Sequence, residues 1–184
     1  MDKKIVLLTA SARKNGNSCT MADAFCCAAE KYGNRVVRFD TAFMHVKNCT
    51  ACNSCFSARK PCITDDDFNG IAAELENADA IVFATPVYWY SFPASIKAVI
   101  DKFYGLYNGK KLFSGKKSAL ISCCEDNTLE AFNGLVFAYS ESMKLMGAEL
   151  AGEVLIPGVH QIGDIEKTDG REKAADLAKK LFDL

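Results

Sequence analysis

Short apolar runs alternate with helical stripes along this chain. Residues 4–8, 35–39, 80–84, 118–122 and 153–156 read as strands. The first, third and fourth are almost unbroken apolar runs, the pattern of strands covered by helices on both faces, so those three are expected at the centre of a sheet. Between the strands the period lengthens. Met21, Ala24, Phe25, Ala28 and Tyr32 form one stripe, behind the capping pair Asn17-Ser18 and before Gly33-Asn34. Phe68, Ile71, Ala72 and Leu75 form a second behind the acidic residues 65–67, and Ile96, Val99, Ile100 and Phe103 a third. A long fourth stripe carries Leu129, Phe132, Val136, Tyr139, Met143 and Met146 up to Gly147, and Ala174, Leu177, Ala178 and Leu181 make a fifth. Strand then helix, repeated, predicts an α/β fold: a doubly wound parallel sheet with right-handed crossovers.

The 184 residues suit one domain over 1–184, interrupted by a cysteine-rich loop at 43–62. The 22 basic and 23 acidic side chains nearly cancel, which removes the electrostatic footprint of a nucleic-acid binder. No apolar run approaches a membrane span, and the first residues lack the pattern of a secretory signal. The expectation is a cytoplasmic chain with neither nucleic acid nor membrane as partner. Its 9 cysteines are too many for packing alone and are not needed as staples at this size, so they point to metal, cluster or redox chemistry.

In a doubly wound sheet the first strand-to-helix turn is the usual phosphate site. Here residues 9–20 hold neither G-x-G-x-x-G nor G-x-x-x-x-G-K-[ST], which disfavours a dinucleotide or triphosphate site. Ser11, Asn17, Ser18 and Thr20 offer hydrogen-bond donors, Arg13 offers charge, and the helix start offers free N–H groups, a set that suits a phosphate monoester. The bland alternative is that Asn17 or Ser18 only caps a helix. After the third strand, residues 85–93 set Tyr88, Trp89, Tyr90 and Phe92 between two prolines, a stiff face for a flat ring or, equally, a plug on the core or a dimer patch. Together the two loops meet the needs of one FMN.

These loops, Ser11-Ala12-Arg13 with Gly16-Asn17-Ser18, and residues 85–90 followed by residues 96–103, resemble the two FMN signatures of the NAD(P)H-dependent FMN reductase family. Ala12 and Ser18 stand where the family usually has proline and threonine. The resemblance implies a flavodoxin-like fold with five strands in the order 2-1-3-4-5. It places Ser11, Arg13, Asn17, Ser18 and Cys19 around the phosphate, Pro86, Val87, Tyr88 and Trp89 along the isoalloxazine, and Cys123-Cys124-Glu125 at its other edge. A homodimer or homotetramer is also implied, with Tyr90, Phe92, Tyr104 and Tyr107 as interface candidates.

Cys49, Cys52 and Cys55 keep a strict three-residue cadence, and Cys62 follows after six intervening residues. Such a run wraps a corner of an iron–sulfur cube more readily than it builds the two separated knuckles of a zinc site. Lys47, Arg59 and Lys60 flank it and would offset negative charge. The spacing resembles the compact 4Fe-4S motif of iron–sulfur flavoproteins, a branch of the same family, with metal-free thiols as the lesser alternative. Cys26-Cys27 read as helix packing, His45 and His160 as isolated loop or surface residues, and Lys110-Lys111 and Lys116-Lys117 as a solvated turn and strand entry.

The expected activity is an FMN-dependent oxidoreductase that passes electrons from NAD(P)H or a reduced ferredoxin-like donor to a small acceptor such as a flavin or quinone, with no side chain assigned as a general base or nucleophile. A flavodoxin-like electron carrier and a zinc or thiol-sensing module are the alternatives.

Overall fold

The computed structural model describes residues 2–57 and 59–182. Five parallel strands, β1 (Lys4–Thr9), β2 (Arg35–Asp40), β3 (Ala80–Pro86), β4 (Lys117–Cys123) and β5 (Glu149–Ile156), form one sheet in the order β2-β1-β3-β4-β5. The expected flavodoxin-like α/β order is thus observed, with β1, β3 and β4 central. Alternation explains their unbroken apolar sequences. Val6, Leu8, Ile81, Phe83 and Leu120 point into one core, Ile5, Leu7, Val82, Ala119 and Ile121 into the other, and all are fully shielded from water.

Helices α1 (Asn17–Lys31) and α6 (Gly170–Lys180) pack together on one face. The other face carries α2 (Phe68–Glu76), α3 (Ala94–Asp101), α4 (Phe103–Asn108) and α5 (Asn133–Leu145). Three differences from the sequence pattern have local causes. The third stripe breaks at Lys102, whose side chain is buried in an ion pair, and the chain restarts as the short α4. The fourth begins as a 3₁₀ turn, Leu129–Phe132, before α5. β5 starts four residues earlier than its apolar run, because Glu149 and Leu150 lie exposed at the sheet edge and Gly152, at φ +144°, shifts the register. Among the described residues no helix is long and apolar enough to cross a membrane.

The C-terminal ends of the strands are tied together by side chains. The Thr9 hydroxyl donates to Asp40 Oδ1 at 2.6 Å, and the Thr41 hydroxyl donates to the Thr9 carbonyl at 2.7 Å. This fixes where the loops leave the sheet.

Candidate functional site

A crevice of about 330 Å³ opens where the loops after β1, β3 and β4 diverge, the position at which an open α/β sheet takes its ligand. Ser11, Arg13, Asn17, Ser18, Pro86, Val87, Tyr88, Trp89, Cys123 and Cys124 all line it. Of the crevice residues expected from the sequence, Thr20, Tyr90, Phe92 and Cys19 are absent from the lining. The Thr20 hydroxyl turns back to the Gly16 carbonyl at 3.3 Å, and Cys19 lies beneath, 3 % exposed, with its thiol 3.6 Å from the Arg13 carbonyl and its pKa pushed up by burial. Gly16, Glu125, Val159 and His160 complete the wall.

At one end the backbone is arranged for an anion. The Ser11 hydroxyl donates to the Arg13 carbonyl at 2.9 Å and accepts the Arg13 N–H at 3.1 Å, which curls the loop onto itself. A side chain at Gly16 would put its Cβ 2.5 Å from Ser11 Oγ, so only hydrogen fits there. Gly16, not Asn17 or Ser18, is the N-cap of α1, and no side chain caps that end. The N–H groups of the first turn and the positive end of the helix dipole are therefore left for a ligand. Asn17 departs from its expected capping role for a clear reason. Its carboxamide donates to Gln161 O at 2.9 Å and accepts from the N–H groups of Gly163 and Ile165 at 3.2 and 3.3 Å, so it clasps the loop after β5.

That clasp brings His160 to the crevice, where the sequence offered only an isolated histidine. Arg13 Nη1 donates to the His160 carbonyl at 3.1 Å, and His160 Nδ1 lies 2.9 Å from Glu125 Oε2. No spacing rule links positions so far apart in the chain, so neither Val159 nor His160 was legible as lining.

At the other end, Tyr88 and Ser91 exchange two backbone hydrogen bonds of 3.0 Å around Trp89 and Tyr90. Those two residues sit at φ +48° and +61°, which makes a type I′ turn built without glycine. Trp89 stands 95 % exposed at its tip. Phe92 was expected with the interface aromatics but turns inward, 7 % exposed, and packs 6.1 Å from Phe83.

The cysteine loop forms a second locus. Cys49, Cys52, Cys55 and Cys62 all line one small cavity of about 20 Å³ together with Tyr104. The Ser54 backbone N–H and hydroxyl lower the pKa of Cys52, whereas burial and then the neighbouring thiols of Cys62, Cys52 and Cys49 raise that of Cys55. Among the described residues no three side chains converge as a closed metal-binding group. The donors are gathered but not drawn in around an ion.

What holds the loop was invisible in the sequence. Its base is zipped by hydrogen bonds from His45 N–H to Asp67 and from Lys47 N–H to Asp66, at 2.7 and 2.9 Å. Asn69 of α2 accepts the Cys62 N–H at 2.9 Å and donates to the Cys62 carbonyl at 3.0 Å. Gly105 on α4 faces the Pro61 carbonyl, and Gly109, just past its end, faces the Phe56 ring, so closely that added Cβ atoms would lie 2.6 and 2.0 Å away. Two other sequence expectations change. Cys26 is half-buried, but Cys27 is exposed rather than packed. Lys116 is not solvated, since its ammonium donates to the Glu76 and Ala78 carbonyls at 2.9 and 2.6 Å beyond α2.

Residues 3–151 match the family described as NADPH-dependent FMN reductase. Over 189 residues, 98 % of this chain and 94 % of the other, the sequence is 25 % identical to an iron–sulfur flavoprotein of Methanosarcina thermophila. An iron–sulfur flavoprotein of Archaeoglobus fulgidus is 32 % identical over 99 residues, and the match spans 54 % of this chain but 44 % of that protein. The fold superposes on the azoreductase of Bacillus anthracis str. Sterne with a TM-score of 0.77 and 23 % identity, covering 97 % of this chain and 99 % of that one.

Proposed function

Because this chain belongs to the NADPH-dependent FMN reductase family, we propose that it is an FMN-dependent oxidoreductase carrying electrons from NAD(P)H to a small acceptor such as a quinone or flavin. The observation that carries this reading is the crevice itself, which joins an uncapped helix start, Arg13 and the Ser11 and Ser18 side chains to the turn bearing Tyr88 and Trp89. An anion at one end and a flat ring at the other is the shape of a flavin mononucleotide. Bound there, FMN would supply two-electron chemistry that can also be released in single steps.

The protein's part is to hold and orient. The α1 N–H groups and Arg13 would take the phosphate, and Ser18, 2 % exposed at the crevice wall, adds a donor. Pro86, Val87 and Tyr88 would run along one edge of the ring, with Cys123 and Cys124 at another. Burial pushes the Cys123 thiol up to about 12 and raises Cys124 as well, so both present neutral S–H groups. Trp89 leaves an aromatic face in solvent where a nicotinamide or acceptor ring could stack.

We also propose that Cys49, Cys52, Cys55 and Cys62 hold a 4Fe-4S cluster after a small closure of their loop. Four thiols round one cavity supply the right donors, the Ser54 N–H favours thiolate at Cys52, and relatives bear the name iron–sulfur flavoprotein. Such a cluster would supply one-electron transfer and admit a ferredoxin-like donor. The exposed rings of Tyr104 and Tyr107 flank an apolar groove of about 410 Å³ between α3, α4 and α5, a face on which a second copy would pack.

The experiment is anaerobic titration of the purified protein with FMN, then with iron and sulfide. Flavin fluorescence quenches on binding to the wild type, and Arg13→Ala weakens binding about ten-fold or more. A wild type that leaves FMN fluorescence unquenched, and is colourless once free FMN is removed, would refute the reading. Light scattering that reports a monomer would remove the dimer.

A further inference from the structure

The loops after β4 and β5 place a carboxylate and an imidazole together at the crevice wall. His160 Nδ1 is 2.9 Å from Glu125 Oε2, and both residues line the cavity. Three hydrogen bonds fix the backbone that carries them. Arg13 Nη1 donates to the His160 carbonyl at 3.1 Å, the His160 N–H donates to Asp164 Oδ2 at 3.2 Å, and the Val159 N–H donates to the Cys124 carbonyl at 2.9 Å. With Nδ1–H donated to the carboxylate, Nε2 is bare in the neutral ring and carries a proton only in the imidazolium, and it has no partner among the described residues. The ring is half exposed, so it meets both solvent and whatever occupies the crevice.

We propose that His160 is the proton donor to the acceptor and that Glu125 is its positioning residue. This rests on the oxidoreductase reading above. A quinone becomes a hydroquinone by gaining two electrons and two protons. The NAD(P)H-derived hydride equivalent brings both electrons and one proton. The second proton comes from the His160 imidazolium: its Nε2–H bond breaks, an O–H bond forms at the quinone carbonyl, and the neutral imidazole left with Nδ1–H on Glu125 takes its next proton from bulk water. Other lining groups serve less well. The guanidinium of Arg13 does not release its proton, and burial makes the Cys123 and Cys124 thiols weaker acids. Tyr88, with its phenol, is the rival donor. The charges that face His160 are Glu125 after β4, Arg13 after β1 and Asp164 on its own loop.

The test compares wild type, His160→Gln, Glu125→Gln, Glu125→Asp and Tyr88→Phe, all loaded with FMN and supplied with NADPH. Each is assayed with a naphthoquinone, which needs protons, and with hexacyanoferrate(III), which takes electrons alone. The ratio of quinone to hexacyanoferrate rate is expected to fall about a hundred-fold in His160→Gln. Glu125→Gln lowers the same ratio part of the way, and Glu125→Asp restores part of it. A readout free of turnover is the ¹⁵N resonance of His160 Nε2, assigned by its loss in His160→Gln, which shifts when the hydroquinone product is added to the FMN-loaded protein. An unchanged ratio in His160→Gln that still binds FMN overturns the proposal, as does a fall confined to Tyr88→Phe. A wild type that binds no FMN defeats the functional reading instead, and this inference with it.

Discussion

Asp66 and Lys102 form an ion pair in which neither side chain is more than 1 % exposed. The pair joins the returning segment of the cysteine loop to the break between α3 and α4. Lys102 also lies over the Phe68 ring at 5.6 Å, and Asp66 accepts the N–H groups of Lys47 and Phe68. A single ammonium thus anchors the loop base to the core.

Removing one partner would leave a buried charge unpaired, which costs about 3–5 kcal/mol. Lys102→Met is therefore expected to lower the urea midpoint strongly, whereas a joint Asp66→Asn, Lys102→Met variant recovers most of the loss. The pH dependence follows from the carboxylate. Burial would raise the Asp66 pKa, but hydrogen bonds from Lys102, Lys47 and Phe68 outweigh it and hold it below the ordinary carboxylate value. A depressed pKa in the fold means stability that is complete above the unfolded value of about 3.9 and drains away as pH falls through the folded one. Denaturation followed between pH 6 and 2 should show a steeper drain in the wild type than in the joint variant, which keeps only the part carried by other depressed carboxyls such as Asp40 and Asp79.

Asn17 sits at the turn where phosphate binding is proposed, yet its carboxamide is spent on the loop carrying His160. Asn17→Ala removes one donor and one doubly used acceptor at a site 8 % exposed, a loss of about 2–4 kcal/mol. Amide hydrogen exchange should speed up in residues 160–165, and FMN affinity should fall with it. Unchanged exchange there would show that the clasp does not hold the loop.

The strands were legible because burial on both faces demands apolar side chains in succession, and that run survives in one dimension. The crevice loops were legible for a similar reason, since residues 11–18 and 86–89 are each local. What stayed hidden was every relation between distant segments. Nothing in the sequence around His160 announces Glu125, and nothing in Gly105 announces the Pro61 carbonyl. The misread Asn17 belongs with these: a side chain that can cap a helix was drawn off by stronger partners far along the chain. Phe92 and Lys116 were misassigned likewise, one turned into the core by its neighbour Phe83 and one recruited to cap α2.

Gly105 and Gly109 differ in what an added methyl would meet. At Gly105 it meets the backbone carbonyl of Pro61, next to Cys62, and at Gly109 the far edge of the Phe56 ring, which can swing aside. Gly105→Ala should therefore displace the cysteine loop and abolish iron and sulfide uptake while leaving the FMN titration intact. Gly109→Ala should retain most uptake. Equal behaviour of the two variants would show that the contact with α4 does not shape the loop.

Thiol accessibility offers a check on the cysteine locus that needs no activity. Cys27, Cys49 and Cys52 are exposed, whereas Cys19, Cys123 and Cys124 are buried. Iodoacetamide at pH 8 should modify the first three and spare the buried ones, because burial keeps Cys123 near a pKa of about 12. Prior reconstitution with iron and sulfide should protect Cys49 and Cys52 but leave Cys27 reactive. Peptide mass spectrometry reads each site, and loss of the contrast between Cys27 and the other two would place the metal elsewhere.

The turn at Trp89 and Tyr90 sets stability against function. Both residues occupy the left-handed region, where an L side chain costs about 1–2 kcal/mol relative to glycine, and Trp89 recovers almost nothing through burial because it is 95 % exposed. Asparagine followed by glycine is the pair that a type I′ turn accepts most readily. A Trp89→Asn, Tyr90→Gly variant should therefore keep the hairpin, raise the unfolding free energy by about 1–2 kcal/mol and still bind FMN phosphate through α1. It should also lose the ring that stands over the crevice mouth, so the KM for an aromatic acceptor should rise several-fold. If the variant is no more stable, the left-handed turn carries no strain. If its KM is unchanged, Trp89 has no part in holding the acceptor, and the exposed indole answers to some other contact.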